Sequence, residues 1–580
     1  MANRNLILGI SYGHGDSSAA IIKDGDLVAA AEEERFRRVK HYGLYPVAAI
    51  EFCLKAARAE AADVDIVAIP RQRTANLLSK LNLVFWHPQW ITQRKRVNPA
   101  TALDSPLDVL MKRVGLKNAK VERVEHHLAH LYSARYLSRD KEVALASLDG
   151  MGDFVSASLG VAQLDSIKIL ERVKFPDSLG YFYTALTQFL GFPHYGDEYK
   201  MMGLSSFGKP KYVAQMATLL RDADPFGFEL NREVFPILQN PIEFWMDEGR
   251  PKTKPFYQTN LLTQILGVPP RKPSEPLLDI HHDLAKSVQV RFEEVASRFL
   301  CYLHELTKLN TVAIAGGCAH NSVWVGKILQ QTPFTEVHVA PAAHDAGIAV
   351  GAAMAVARRV VTTSAPNWAL LGPIPARKMD GEKVKGFTEM NFFDEATKLS
   401  WLADELASQK IVSVCRDRME FGPRALGNRS ILADPRDAEM KERLNGLVKH
   451  RESFRPFAAS VQFERQNDWF KNAFFCPYME AVFEVHEAAR HKIAGVVHAD
   501  NSCRIQSVVR DTQPFYWDLL EAFRKRTGVP MLINTSFNDQ EPIVCTAEDA
   551  IRCYANTGID HLVIGDRVFS KVSNQMAETA

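Results

Sequence analysis

The sequence predicts an α/β protein of two domains, the first of them built around a duplicated core with a cleft between its halves. Three observations carry this prediction. At 580 residues the chain exceeds what one hydrophobic core usually organises. Two modules of strand, glycine-containing turn and helix, around 311–325 and 337–347, bring back a core pattern that begins near the N-terminus. A Pro-, Gly- and Ala-rich stretch over 362–385 then separates this core from a further strand at 411–415.

In chain order, 5–10 reads as a strand, Ser11 to Ser18 as a tight polar loop, 19–22 as a second strand, Asp24-Gly25 as a hairpin turn and 27–31 as the returning strand. From Pro46, Ile50, Leu54 and Ala57 repeat at helical spacing, and 64–69 reads as a buried strand ended by Pro70. Residues 71–120, with Trp86 and Trp90, lack clean periodicity and read as an insertion, as does the Pro-rich region 225–280.

Composition narrows the function classes. Hydrophobic residues at 46% and charged residues at 24% give a globular balance with ample core material. Lys plus Arg at 70 against Asp plus Glu at 68 leaves a formal +2, so no global field favours nucleic acid or an anionic membrane, and any anion site is local. The eight cysteines include no C-x-x-C pair, which fits reduced thiols in a cytoplasm. Neither a secretory signal nor a run of ~20 apolar residues is read.

The chemistry concentrates in VERVEHHLAHLYSARYLSRDKEVALASLDGMGD, 121–153. His126 and His130 stand four apart on a helical pattern and share one face. The apolar run 143–148 reads as a strand ending in Asp149-Gly150-Met151-Gly152-Asp153, so a carboxylate at a strand end joins two imidazoles. That set suits a first-row transition metal better than calcium, and spacing alone does not separate iron, zinc and manganese. Paired helical histidines also occur as satisfied core residues, and the acidic glycine turn leans toward the metal. Asp345, before a small-residue helix in the second half, is the fourth candidate ligand, with a helix N-cap as its other reading.

Beyond 385, Phe421-Gly422-Pro423-Arg424-Ala425-Leu426-Gly427-Asn428-Arg429-Ser430 sets guanidiniums among small and apolar residues. Between Arg416 and Arg455 there are ten Lys or Arg against seven Asp or Glu, an excess too small for a nucleic-acid track and suited to a compact anion pocket. Arg424 and Arg429 are expected to meet either protein carboxylates or ligand phosphates, and Lys449, Arg455 and Arg504 are candidates to join them. The strand 529–533 runs into Asn534-Thr535-Ser536-Phe537-Asn538, whose hydroxyls and amides suit a phosphate.

Together, GISYGHGDSSAAIIKDGDLVAAAEEERF, EHHLAH, SLDGMGDF, EYKMMGL, FGPRALGNRSILADPR, ESFRPFA and INTSFN resemble the O-carbamoyltransferases of the NodU/CmcH type over nearly the whole chain. The resemblance implies an actin-like (ASKHA, TsaD-like) duplicated domain over 1–365, a linker over 366–390 and a YrdC-like α/β domain over 391–580. It implies that the latter turns carbamoyl phosphate and ATP, with Mg2+, into carbamoyl-adenylate, and that the former passes the carbamoyl group to a hydroxylated small-molecule acceptor. The implied iron ligands are His126, His130, Asp149 and Asp345. The implied carbamoyl phosphate and ATP site is Arg424, Lys449, Arg455, Arg504 and Ser536, and the implied adenosine pocket lies at Gly316, Gly317 and Asn321. His14 and Lys40 are the expected catalytic residues beside the acceptor. Self-association into a homodimer is left open, and no nucleic-acid or membrane partner is expected.

Three positions depart from the family pattern. Histidine stands at His14, with Gly15 before Asp16, where His-Asp is usual; His344 replaces the glycine before Asp345; and the loop at Asn538-Asp539-Gln540-Glu541 is shortened. His344 is therefore an alternative base or an added ligand. Two other functions fit parts of the pattern: a tRNA threonylcarbamoyl transferase, disfavoured by the two-domain fusion and the weak basic excess, and an idle actin-like ATP-binding regulator, disfavoured by the intact ligand and arginine sets.

Overall fold

The computed structural model describes residues 6–88, 107–357, 362–363, 367–376 and 386–571. The chain forms two compact units, Met1–Ser364 and Ala365–Ala580. Of the expected linker, 366 and 377–385 lie outside the described residues, as do Trp90 and the rest of 89–106.

The first unit contains the same sheet twice. β1 (Leu6–Ser11), β2 (Ser18–Lys23) and β3 (Asp26–Glu32) form an antiparallel meander, and β4 (Ile66–Ile69) and β5 (Lys120–Arg123) add in parallel on the β1 side. Thr362–Thr363 pairs with the β3 edge, so the order runs Thr362–Thr363, β3, β2, β1, β4, β5. β6 (Glu142–Gly152), β7 (Val155–Gln163) and β8 (Ser166–Lys174) form the second meander, extended in parallel by β9 (Thr311–Ala315) and β10 (Glu336–Val339), in the order β8, β7, β6, β9, β10. Equal order and equal strand senses make this the actin-like duplicated α/β domain. β1, β2 and β9 are buried nearly throughout, which explains why they read as continuous apolar runs and not as alternation.

Helices cover these sheets. α1 (Val47–Ala56) packs Val47, Ala49, Ile50, Cys53 and Leu54 on β2 and β3. α2 (Leu77–Trp86) lies in the 71–120 insertion. α3 (His126–Arg135) begins at Glu125, whose carboxylate accepts from the Leu128 amide at 2.7 Å and so satisfies an open N–H of the first turn. α4 (Asp279–Thr307) is a 29-residue helix with one buried side, and α5 (Gly347–Ala357) is almost entirely buried. The small residues of α5 have a spatial reason: a Cβ on Gly351 would meet the Ala129 carbonyl of α3, and one on Gly9 would meet the Ala349 carbonyl. Backbone-close packing of α5 on α3 and β1 brings the N-terminal end of α5 to the start of α3.

Local expectations shift in three places. β6 does not end at Leu148 but runs through Asp149 to Gly152 with an irregular register, because the glycines pair and bend. The helix expected from Asn321 is a single turn, Ser322–Val325. The 225–280 insertion is organised as the hairpin Phe244–Asp247/Arg250–Thr253 and the helix Thr259–Leu266, after the hairpin Leu220–Ala223/Gly227–Leu230.

The second unit holds a nine-stranded mixed sheet of β11 (Phe387–Met390), β12 (Val412–Cys415), β13 (Arg429–Ala433), β14 (Ala458–Gln462), β15 (Ala481–Glu484), β16 (Ser502–Val508), β17 (Met531–Ser536), β18 (His561–Ile564) and β19 (Arg567–Lys571). The order is β11, β19, β18, β12, β13, β17, β14, β16, β15. β17 extends past the apolar run to Ser536, since Asn534 is held by Ser460, Gln506 and the Ala425 carbonyl inside the unit.

Candidate metal centre and anion site

In the first unit, His126, His130, Asp149 and Asp345 converge, their ligand atoms all within 4.8 Å of one another. The two imidazoles present Nε2 atoms 3.1 Å apart. Asp149 Oδ2 lies 3.4 and 3.7 Å from them, and Asp345 Oδ1 lies 3.4 and 3.5 Å from them. Two facing nitrogens and two carboxylates around one point suit a divalent first-row metal, and Asp345 Oδ1 is buried with no hydrogen-bond partner. The donor set therefore fits the metal that the resemblance implies. Asp149 is oriented by its other oxygen, which accepts from the Gly317 amide at 2.9 Å. Asp153 fixes the start of α3 by accepting from the His126 amide at 3.1 Å.

The neighbouring histidine does different work. His127 is sealed in the core, Nδ1 at 2.8 Å from Ser147 Oγ and Nε2 at 2.8 Å from the Val155 carbonyl, and burial holds its pKa well below the ordinary value. Burial also opposes charge on His126, but Asp149 and Asp345 outweigh it and lift that ring to about 10. His130 is raised by the same carboxylates against the same burial. Asp149 and Asp345 are held below the usual carboxylate range by the histidines, despite their own burial.

His14 joins this cluster, its Nδ1 3.0 Å from Asp345 Oδ2 and 3.0 Å from the Gly15 carbonyl. Both neighbours of Nδ1 are acceptor oxygens, so in the neutral ring the hydrogen sits there and Nε2 carries the lone pair. His344 does not add a ligand: it turns toward Glu32 at 3.5 Å and Asp16 at 4.0 Å. Lys40 is an exposed side chain next to His41 in the chain. His41 instead meets Asp16, Nδ1 to Oδ1 at 2.8 Å, and this carboxylate overcomes burial to raise the ring to about 9. Tyr195, whose ring meets His41 edge-on, and Arg71, in the field of Asp153 and Asp345, also border the cleft. No spacing in the sequence singled out either.

The three adenosine candidates separate. Gly316 has φ of 89° and is pressed on the Leu148 carbonyl, where a side chain has no room, and Gly317 contacts Asp149. Asn321 is buried and its amide is engaged: it exchanges two 2.9 Å hydrogen bonds with Gln289 and caps the Trp324 amide. These bonds take up its carbonyl and one of its two amide hydrogens.

In the second unit, Ala458 pairs with Arg504 on one side and Asn534 on the other, so Arg504 and Asn534 lie level on the two strands that flank β14. Burial and the guanidiniums of Arg424, Arg451 and Arg455 push the Arg504 pKa well below the ordinary arginine value, and its buried Nε has no partner. Like charges gathered this way call for an anion. Arg451, absent from the expected set, is steered by Asn445 Oδ1 at 2.9 Å and by the Phe457 ring at 4.5 Å. Lys449, at the end of a π-helical turn, donates to Asn538 Oδ1 at 2.7 Å, to the Asn538 carbonyl at 2.8 Å and to the Ser536 carbonyl, so it anchors the Ser536 loop. Ser536 Oγ donates to Asn538 Oδ1 at 2.7 Å. Arg455 is 3.8 Å from Glu452. Arg429 resolves the other way: fully buried, it donates to the carbonyls of Arg416, Asn428 and Pro373 at 2.7 to 2.9 Å and is structural. Glu420 shapes the Arg424 loop by accepting from the amides of Leu426, Asn428 and Arg429.

Two family models match the chain: the carbamoyltransferase N-terminus over residues 6–354 and the carbamoyltransferase C-terminus over residues 403–571. Nodulation protein NolNO of Sinorhizobium fredii is 34% identical, covering 96% of this chain and 79% of that protein. Nodulation protein NolO of Bradyrhizobium diazoefficiens is 36% identical over 76% of this chain and 78% of that one. An uncharacterized protein of Synechocystis is 34% identical over 99% and 98%.

Proposed function

Because the chain belongs to the carbamoyltransferase family and is a carbamoyltransferase enzyme, we propose that its two units carry two consecutive reactions ending in a carbamate ester. In the second unit, Arg424, Arg451, Arg455 and Arg504 hold carbamoyl phosphate and the triphosphate of ATP, with Ser536 positioned by Lys449 and Asn538. Water releases inorganic phosphate from carbamoyl phosphate. The resulting carbamate attacks the α-phosphorus of ATP, a new P–O bond forms, pyrophosphate leaves, and carbamoyl-adenylate remains. The guanidiniums neutralise the charge on the transferred groups.

In the first unit, an acceptor hydroxyl attacks the carbamoyl carbon, the bond from that carbon to the adenylate oxygen breaks, and AMP leaves. His14 takes the hydroxyl proton at Nε2 while Asp345 keeps its Nδ1–H in place and stabilises the cation that forms. A metal held by His126, His130, Asp149 and Asp345, with iron the proposed ion, would supply Lewis-acid polarisation of the carbamoyl carbonyl. The adenosine is proposed to lie near Gly316 and Gly317. The acceptor is proposed to be a hydroxylated small molecule.

One observation carries the reading: His14 is hydrogen-bonded to the same Asp345 that faces the two histidines, so a base and a metal-ligand set share one carboxylate. The test separates the reactions. Arg424→Ala is expected to abolish carbamoyl-phosphate-dependent pyrophosphate release, and His130→Ala to leave much of that release while stopping transfer of labelled carbamoyl to acceptor, each by at least ~100-fold. Equal loss of pyrophosphate release in both folded variants would refute the division.

A further inference from the structure

α2 is apolar on both sides. Leu77, Leu78, Leu81, Phe85 and Trp86 are 51, 79, 55, 76 and 73% exposed, and with Asn82 they occupy one helix face at positions 77, 78, 81, 82, 85 and 86. The other face, Ser79, Lys80, Leu83 and Val84, is half-buried; there the Lys80 amine lies 5.5 Å over the Phe154 ring and donates to the Arg73 carbonyl at 3.0 Å. A helix with apolar residues all round is a covered helix. Nor is it a loose end: Asp153 accepts from the Gln72 amide at 2.9 Å and from Asn76 Nδ2 at 2.8 Å, which fixes the entry to α2.

We propose that this face is closed by the same face of a second copy, making the protein a homodimer paired through α2. The exposed face carries no charged side chain, so two identical copies meet without like-charge opposition. An interfacial membrane helix would present a basic belt to lipid headgroups. Among the described residues, Lys80 is turned onto Phe154 and Arg71 toward Asp153 and Asp345, which leaves exposed Arg73 at the entry to α2, short of such a belt. At roughly 200 Å² per large side chain the exposed portions come to about 600 Å² per copy. Two copies would cover about 1,200 Å², the lower bound of a stable specific interface, with the apolar centre typical of permanent pairs. A twofold axis near Asn82 would set the stripe against itself antiparallel.

Sedimentation velocity of the full chain across micromolar concentrations tests this. The expected result is a dimer whose dissociation constant rises on the order of 100-fold or more in Leu81→Glu/Phe85→Glu, with an unchanged far-ultraviolet spectrum. Asn82→Cys with a short bismaleimide is expected to give a cross-linked dimer that the unsubstituted chain does not. A monomer throughout, or a dimer indifferent to the double substitution, overturns the proposal. So does a monomer that binds phosphatidylglycerol–phosphatidylcholine vesicles and loses them in the double variant, since the face would then belong to lipid.

Discussion

At the metal centre His126 and His130 each face Asp149 and Asp345 within 4 Å, and Asp345 also faces His14. At the anion site the charged neighbours that bear most on Arg504 are Arg424, Arg451 and Arg455, all cations. One cluster pairs its rings with carboxylates; in the other, burial and neighbouring guanidiniums disfavour the charge on Arg504 itself, which a bound anion relieves. Deleting a charge should therefore harm activity in both units yet move folding stability in opposite directions.

The largest effect should come from Asp345→Asn. Carbamoyl transfer should fall at least ~1,000-fold with loss of bound metal, and the metal-free protein should lose about 3 kcal/mol in a urea melt, because buried imidazoliums lose their partner. Arg504→Met is the contrasting case. Pyrophosphate release should fall by ~100-fold or more while the ligand-free protein gains about 1 kcal/mol, and phosphate should raise the Tm of the unsubstituted chain but not of this variant. A destabilised Arg504→Met protein would break the comparison.

The two sites should also differ in pH response. The raised pKa of His126 means that its stabilising contribution is complete below about 6.5 and is lost as pH rises through about 10. Asp149 and Asp345, being lowered, contribute above the ordinary carboxylate range and lose that contribution in acid. After chelation, Tm should fall across the alkaline window, and restoring the metal should flatten it. An unchanged alkaline slope would remove the histidine–carboxylate pairing from the account.

A smaller effect belongs to Glu480 in the second unit, where burial pushes the carboxyl up to about 8 and backbone amides, one from Tyr478 at 2.8 Å, only partly offset this. A raised carboxyl costs stability as pH rises from about 4.5 to about 8. Glu480→Gln should remove that slope in urea melts at several pH values.

Legibility followed distance along the chain. The first meander was readable because its turn residues and apolar runs are contiguous, and the histidine pair because helical spacing is local. Asp345 was legible only as an alternative to an N-cap, since the small residues of α5 let it approach α3 across more than two hundred positions. What stayed hidden depends on tertiary partners. Arg429 and Arg424 stand five apart in similar company, yet one is absorbed by carbonyls and the other helps depress Arg504. Asn321 exchanges two hydrogen bonds with Gln289 of α4, a pairing that no local spacing announces. His41 gains its place through Asp16, twenty-five positions away and equally unannounced by local spacing.

The repeated sheet order has a consequence for how the ligand set is assembled. The β1–β2 loop bears His14 where the second half has Asp149 before β7, and the segment after β5 bears His126 where the segment after β10 has Asp345. Each equivalent pair has one nitrogen and one carboxylate member. The set of two imidazoles and two carboxylates is thus complete only when segments from both halves of the unit meet.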